Sequence, residues 1–209
     1  LKVLSEFDKF NIVRIFLSNI IKESDAAKLK INLGVEHLNI FYNFAVNGTF
    51  DLCEFILKIV DKVQHKNLLF YKEKSNSGRN FLHQAMCEIR YERSMFQVKT
   101  EEYMDKLFKL IKEFKFPELF LEKDELGCTI LHLLASFASN SKVFNKVWGN
   151  LEEILSIEEQ RKLLLMEGFQ QRTALHSVCM NKSEEKVEIV RSLLEIIAKL
   201  FNKDEQLEM

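Results

Sequence analysis

From Phe10 onward the apolar residues Phe10, Val13, Leu17, Ile20 and Ile21 keep helical spacing, while Lys9, Arg14 and Lys22 fall on the other side. That pattern predicts a helix with one buried and one wet face. Ser24-Asp25 either ends it or caps a short following helix. Leu107, Leu110, Ile111 and Phe114 repeat the i, i+3, i+4, i+7 pattern, and Val190, Leu193, Leu194, Ile197 and Phe201 extend it over a longer segment. Lys106, Lys109, Lys112 and Lys115 recur at roughly helical intervals and read as the solvated face opposite the Leu107/Leu110 stripe. Ser156 followed by Glu159 forms a capping-box pattern, which predicts a helix start there and a helix through Arg161 to about Met166. No stretch alternates apolar and polar residues for long, and Asn47-Gly48 sits between helical patterns rather than between strands. The expected fold class is therefore all-α.

Composition narrows this further. At 209 residues and 47% hydrophobic content the chain is long enough to bury a real core as one domain or a compact array. With 6 Gly and 1 Pro, few reversals can rest on turn chemistry, which favours helices joined by polar loops. Apolar runs such as Leu163 to Met166 or Ile196 to Ala198 fall far short of the roughly 20 residues a bilayer span needs. The 30 basic and 31 acidic side chains leave a net charge of -1, so no global excess of cations points to nucleic acid or an anionic membrane. Cys53, Cys87, Cys128 and Cys179 are 34 or more positions apart, with no C-x-x-C pair to bring two thiolates to one metal. A reduced intracellular setting is expected, cytoplasmic with the nucleus also open. Leu1 to Ile21 lacks the layout of a secretory signal, and the leading Leu reads as a fragment of a longer protein.

Self-similarity is the most specific signal. Gly78-Arg79-Asn80-Phe81-Leu82-His83-Gln84-Ala85 overlays Gly127-Cys128-Thr129-Ile130-Leu131-His132-Leu133-Leu134, and both overlay Gln171-Arg172-Thr173-Ala174-Leu175-His176-Ser177-Val178. Each copy places Leu-His at the same point, and the histidines are 49 and then 44 residues apart. A weaker first copy runs from His37 to Phe44, with Asn39-Ile40-Phe41-Tyr42 at the motif positions and Asn47-Gly48 leading into Leu52, Phe55, Ile56 and Leu57.

This arrangement resembles the ankyrin repeat, whose first helix opens with a Thr-Pro-Leu-His element after a Gly-containing turn. The resemblance runs from about Leu38 to the C-terminus and implies an ankyrin-like solenoid of about four repeats. An N-terminal helical segment or partial repeat would occupy 1–37, and the array 38–209. It implies local hydrogen bonds between Thr129 and His132 and between Thr173 and His176, with Asn80 standing in for Thr beside His83. The family's Pro is replaced by Ile40, Phe81, Ile130 and Ala174, and the usual period of about 33 is exceeded throughout. The excess falls around Cys87 to Asp105 in the second copy, and in the third within Leu151 to Met166, where an additional helix fits. Stacked pairs share one continuous core, so Phe81, Phe108, Phe144 and Phe201 are expected to pack inside it.

Candidate chemistry is weighed against that packing role. His83 with Cys87, Cys128 with His132, and His176 with Cys179 lie within about one helical turn of each other and could form metal sites or a thiol with its base. The order of Cys and His reverses between copies and each pair offers two ligands where structural zinc needs four, so structural use is preferred. His37 and His65 are isolated and expected to be exposed. Glu152-Glu153, Glu158-Glu159 and Asp124-Glu125 read as solvated faces or a turn. The phosphate-loop, serine-hydrolase and zincin motifs are missing from the sequence. Trp148 could anchor an interface, but its spacing from Phe144 and Val147 favours burial.

These readings lead to the expectation of a non-catalytic module without metal or cofactor, binding a protein partner rather than nucleic acid or membrane. By the resemblance, contacts would come from the inter-repeat turns and the exposed side of each first helix. The candidate residues are Asn76, Arg79, Gln84 and Glu88 in the second copy, Glu125, Cys128, Leu133 and Phe137 in the third, and Gln171, Arg172, Ser177 and Met180 in the fourth. The alternative is a structural segment of a longer array, with partner binding or activity elsewhere.

Overall fold

The computed structural model describes residues 35–60, 62–73, 77–88 and 100–207. The helix expected from Phe10 to Ile21 and the cap at Ser24-Asp25 lie outside the described residues, as do most of the inserted residues after Cys87.

Among the described residues every extended element is a helix, apart from one isolated antiparallel bridge between Glu73 and Arg79. The helices are α1 (Val35–Val46), α2 (Phe50–Ile59), α3 (Lys62–Leu69), α4 (Phe81–Glu88), α5 (Thr100–Phe114), α6 (Ile130–Phe137), α7 (Ser141–Ile154), α8 (Ile157–Leu165), α9 (Ala174–Cys179), α10 (Lys186–Leu200) and α11 (Lys203–Leu207). Short 3-10 turns cover Pro117–Leu121 and Phe169–Gln171. Local chemistry explains several starts. Asn140 Oδ1 accepts from Val143 N–H at 2.9 Å to open α7. Ser156 and Glu159 make the reciprocal box the sequence predicts, with Glu159 Oε2 2.9 Å from Ser156 N, and α8 follows.

The helices pack in two rows. In one, α1 lies on α4, α4 on α6 and α6 on α9; in the other, α2 lies on α5, α5 on α7 and α7 on α10. Leu107, Leu110 and Ile111 on α5 and Phe144 and Val147 on α7 are buried, as their spacing predicts. Along α10 the predicted stripe holds at Leu193, Ile197 and Phe201, but Leu194 is 47% exposed and Val190 half-buried; the buried face runs through Ile189, Leu193 and Ile196 instead, one position round the helix. Phe81, Phe108, Phe144 and Phe201 are buried as expected, and Trp148 is only 3% exposed, which removes it as an interface anchor. Phe108 stacks on Phe120 with ring centroids 6.1 Å apart, and Phe41 meets Phe81 edge-on, coupling α1 to α4. The polar face of the second row is laced between neighbours: Lys146 to Asp105 at 2.8 Å and Lys199 to Glu152 at 2.9 Å. Exposed pairs of this kind add little stability each. Lys106, Lys109 and Lys115 are exposed, as the wet-face reading requires, whereas Lys112 is half-buried and bonded to Asn150 and Glu153 on α7.

Two further expectations need correction. His65 is buried at 8% exposure, its Nε2 2.6 Å from the Leu57 carbonyl and its ring against Phe114. Period counting cannot see that partner, because the polar segment of α3, which packs against α1, is not expected from the sequence to be a helix. In the first copy, α1 begins at Val35, so Asn39 lies inside the helix and caps nothing. The core position is kept, since Phe41 is fully buried like Leu82 and Leu131. His37 is within α1, but its side chain is outside the described residues.

Candidate functional site

The turns that precede α6 and α9 are built alike. Asp124 N–H donates to the Cys128 carbonyl at 2.9 Å, and 44 residues on, Gly168 N–H donates to the Arg172 carbonyl at 2.8 Å. Gly127 supplies the positive φ of +79° in the first, and Gln170 and Gln171 adopt φ of 57° and 58° in the second. Asp124, buried at 5% exposure, accepts from Leu126 N and Cys128 N through Oδ1 and pairs with Arg79 through Oδ2 at 3.3 Å. That carboxylate therefore organises a turn.

Each turn is then tied to its neighbours by an imidazole. His132 Nδ1 accepts from Thr129 N at 3.1 Å and lies 2.8 Å from Thr129 Oγ1, while Nε2 donates to the Arg172 carbonyl at 2.8 Å. His83 reaches the following turn in the same way from α4, Nε2 lying 3.1 Å from both the Glu122 and Cys128 carbonyls, but its Nδ1 faces an acceptor, Asn80 Oδ1, at 2.6 Å. In the last copy Thr173 and His176 make the local pair at 2.9 Å, with His176 exposed. Burial pushes His83 down to about 4 and also lowers His132, so both rings are neutral near neutral pH. Gly168 lets the last turn come this close, because a Cβ there would sit 2.9 Å from His132 Cδ2.

Both nitrogens of His132 are committed, and His83 is fully buried against Asn80 and two backbone carbonyls, so neither imidazole is placed as a base or ligand for the neighbouring cysteine. None of the four cysteines is in a disulfide. Among the described residues no group of three or more His, Cys, Asp or Glu side chains is placed to hold a metal ion, and no helix is long and apolar enough to cross a membrane.

The same turns frame a groove of about 530 Å³ between the third and fourth copies. It brings together the sequence-predicted residues Arg79, Cys128, Leu133, Phe137, Arg172, Ser177 and Met180. Gln84, Glu125 and Gln171 are not part of its lining; Asn76 and the Glu88 side chain lie outside the described residues. Leu133 and Ser177 were expected on an exposed helix side but are only 5% and 8% exposed, because α6 and α9 approach closely and turn these side chains into the groove floor. The groove also contains residues the sequence reading missed: Leu126, Phe169, Asn181 and Lys182. Asn181 Nδ2 donates to the Ala135 and Ala138 carbonyls at 2.9 and 3.0 Å, holding the end of α9 against the end of α6.

No protein-family model matches this chain, and no curated protein or solved structure is significantly similar to it. The groove must therefore be read from its own chemistry. Leu126, Phe169 and Met180 are exposed at 46%, 49% and 59%, and all three line it. Large apolar side chains gathered at a concave surface are more informative than scattered ones. A lone exposed Ile157 elsewhere carries no such meaning.

Proposed function

We propose that the chain is a non-catalytic protein-interaction module, an ankyrin-like array of helical pairs that engages a protein partner through the turn face between its third and fourth copies. The observation that carries this reading is the clustering of Leu126, Phe169 and Met180 around the groove. The two-row order of helices and the turn-to-turn imidazole braces support the ankyrin-like assignment, since nearest-neighbour stacking is what a helical-repeat array requires. Four cysteines spaced 34 or more positions apart, none in a disulfide, are in keeping with a reducing intracellular compartment, cytoplasmic or nuclear.

Site-directed photo-crosslinking in cells tests the assignment. A benzophenone amino acid placed at Phe169 or Met180 should capture one discrete partner. The same group at exposed Glu158 on α8 should not. Capture from Glu158 alone would place the interaction elsewhere on the molecule.

A further inference from the structure

We propose that this groove takes a short acidic peptide segment in which a large apolar side chain is flanked by Asp or Glu. The proposal rests on the interaction reading above and adds the chemistry of the partner. The chain as a whole is nearly neutral at a net charge of -1, yet among the described residues the charged lining of the groove is wholly cationic: Arg79, Arg172 and Lys182.

These three cations differ in what answers them. Arg79 is already paired with Asp124 at 3.3 Å. Arg172 is half-buried, and its Nη1 reaches Met180 Sδ at 2.8 Å. A thioether is a weak acceptor and carries no charge. Lys182 is exposed, and among the described residues neither it nor Arg172 has a carboxylate within ion-pair distance. A planar guanidinium held beside apolar surface is matched best by a carboxylate, which can accept two parallel hydrogen bonds.

The apolar component of the ligand follows from the exposed hydrophobic lining. Phe169 and Met180 lie three and two positions from Arg172 and Lys182, and Leu126 lines the same groove from the preceding turn. The 530 Å³ volume suits a few side chains, falling in the roughly 300–1,000 Å³ range of ordinary ligand sites. A folded domain would need more surface than the groove alone offers, whereas a linear segment can seat one anchor and place acids at the rim. Nucleic acid fits less well, because its affinity comes from many neutralised phosphates and the chain has no excess of cations.

The test uses the whole 209-residue chain and fluorescein-labelled, C-terminally amidated peptides read by fluorescence polarisation. One peptide carries Leu-Phe flanked by Asp and Glu, a second carries the Asn/Gln equivalents, and a third carries Lys flanks. The acidic peptide should bind at least roughly tenfold tighter than the neutral one, with the gap closing as salt screens the charges. Lys182→Glu lies at an exposed position, so loss of acidic-peptide binding there is not a folding defect. Adding Arg172→Glu should turn the preference towards the Lys-flanked peptide. Equal binding of acidic and neutral peptides would overturn the charge assignment while leaving the groove reading standing. Binding only of a phosphorylated version would replace carboxylate with phosphate and overturn it too. Binding of no peptide would end the proposal, and the crosslinking result at Phe169 then decides the groove reading by itself.

Discussion

His132 Nε2 and the carbonyl of Arg172, forty residues apart in sequence, are joined by a 2.8 Å hydrogen bond. The same carbonyl accepts from Gly168 N–H, so both of its lone pairs are used. One copy earlier the Cys128 carbonyl likewise accepts from Asp124 N–H and from His83 Nε2. The imidazole therefore holds its own helix start and the next turn at once, and the groove walls inherit their position from it.

His132→Ala should consequently cost about 2–4 kcal/mol, since it removes a buried ring and leaves the Thr129 hydroxyl and one Arg172 lone pair unanswered. His176→Ala removes an exposed ring with only the local Thr173 bonds and should cost less than about 1 kcal/mol. Urea midpoints of the two variants check this. Equal losses would mean that the span between copies contributes nothing.

The second copy makes its brace with a poorer partner. Thr129 Oγ1 can donate to His132 Nδ1 while still accepting from the helix backbone. Asn80 Oδ1 accepts His83 N–H at 3.0 Å and cannot also donate to Nδ1, 2.6 Å away, and Asn80 Nδ2 is buried without a partner. Turning the amide over would satisfy Nδ1 but abandon the backbone N–H. Asn80→Thr should therefore stabilise the chain by about 1 kcal/mol, an uncommon direction for a change at a fully buried position. Chemical denaturation measures it, and a loss of stability would show that the volume of the Asn matters more than its hydrogen bonding.

A doubly protonated His83 would satisfy all three facing oxygens, but the ring is fully buried, and burial outweighs both the nearby Asp124 charge and the carbonyls in pushing it down to about 4. Unfolded, it titrates near the ordinary 6.5. Between those values the unfolded chain binds a proton that the folded one refuses, so stability rises with pH there. The contribution is complete above about 6.5 and is lost as pH falls towards 4, amounting to about 3 kcal/mol for His83. His132, lowered mainly by burial, adds in the same direction. Unfolding free energies across this window should fall on acidification, and His83→Gln should flatten the slope. An unchanged slope in that variant would remove His83 as the cause.

Much of the architecture was legible because it depends on periodicity and local caps. The stripe on α5, most of that on α10, the Ser156 box and the extra helix before Phe169 need only neighbours in sequence, though Leu194 of the α10 stripe is exposed. The repeated Leu-His pair gave the register of α4, α6 and α9, and the Thr-His bonds came with it. What did not show was what depends on distant partners. His65 owes its burial to the Leu57 carbonyl and Phe114. The longer reach of His83 and His132, to carbonyls in the following copy, uses backbone atoms that no motif records. Phe169 entered the groove because two residues with positive φ turn the loop around it, a conformation that Gln170 and Gln171 do not advertise.

The cysteines offer a check that separates packing from chemistry. Cys53 is fully buried and its thiol is pushed far up by desolvation, while Cys128 is half-buried and raised mainly by the same cause. Neither has a free imidazole to take its proton, because both nitrogens of His132 are engaged. Reaction with a disulfide reagent should therefore run fastest at exposed Cys179, more slowly at Cys87 and Cys128, and at Cys53 only on unfolding. Since Cys128 lines the groove and Cys179 does not, the acidic peptide should slow Cys128 selectively. If Cys128 instead outran Cys179, its thiolate would have to be stabilised by something other than burial, and a nucleophilic role for that residue would return.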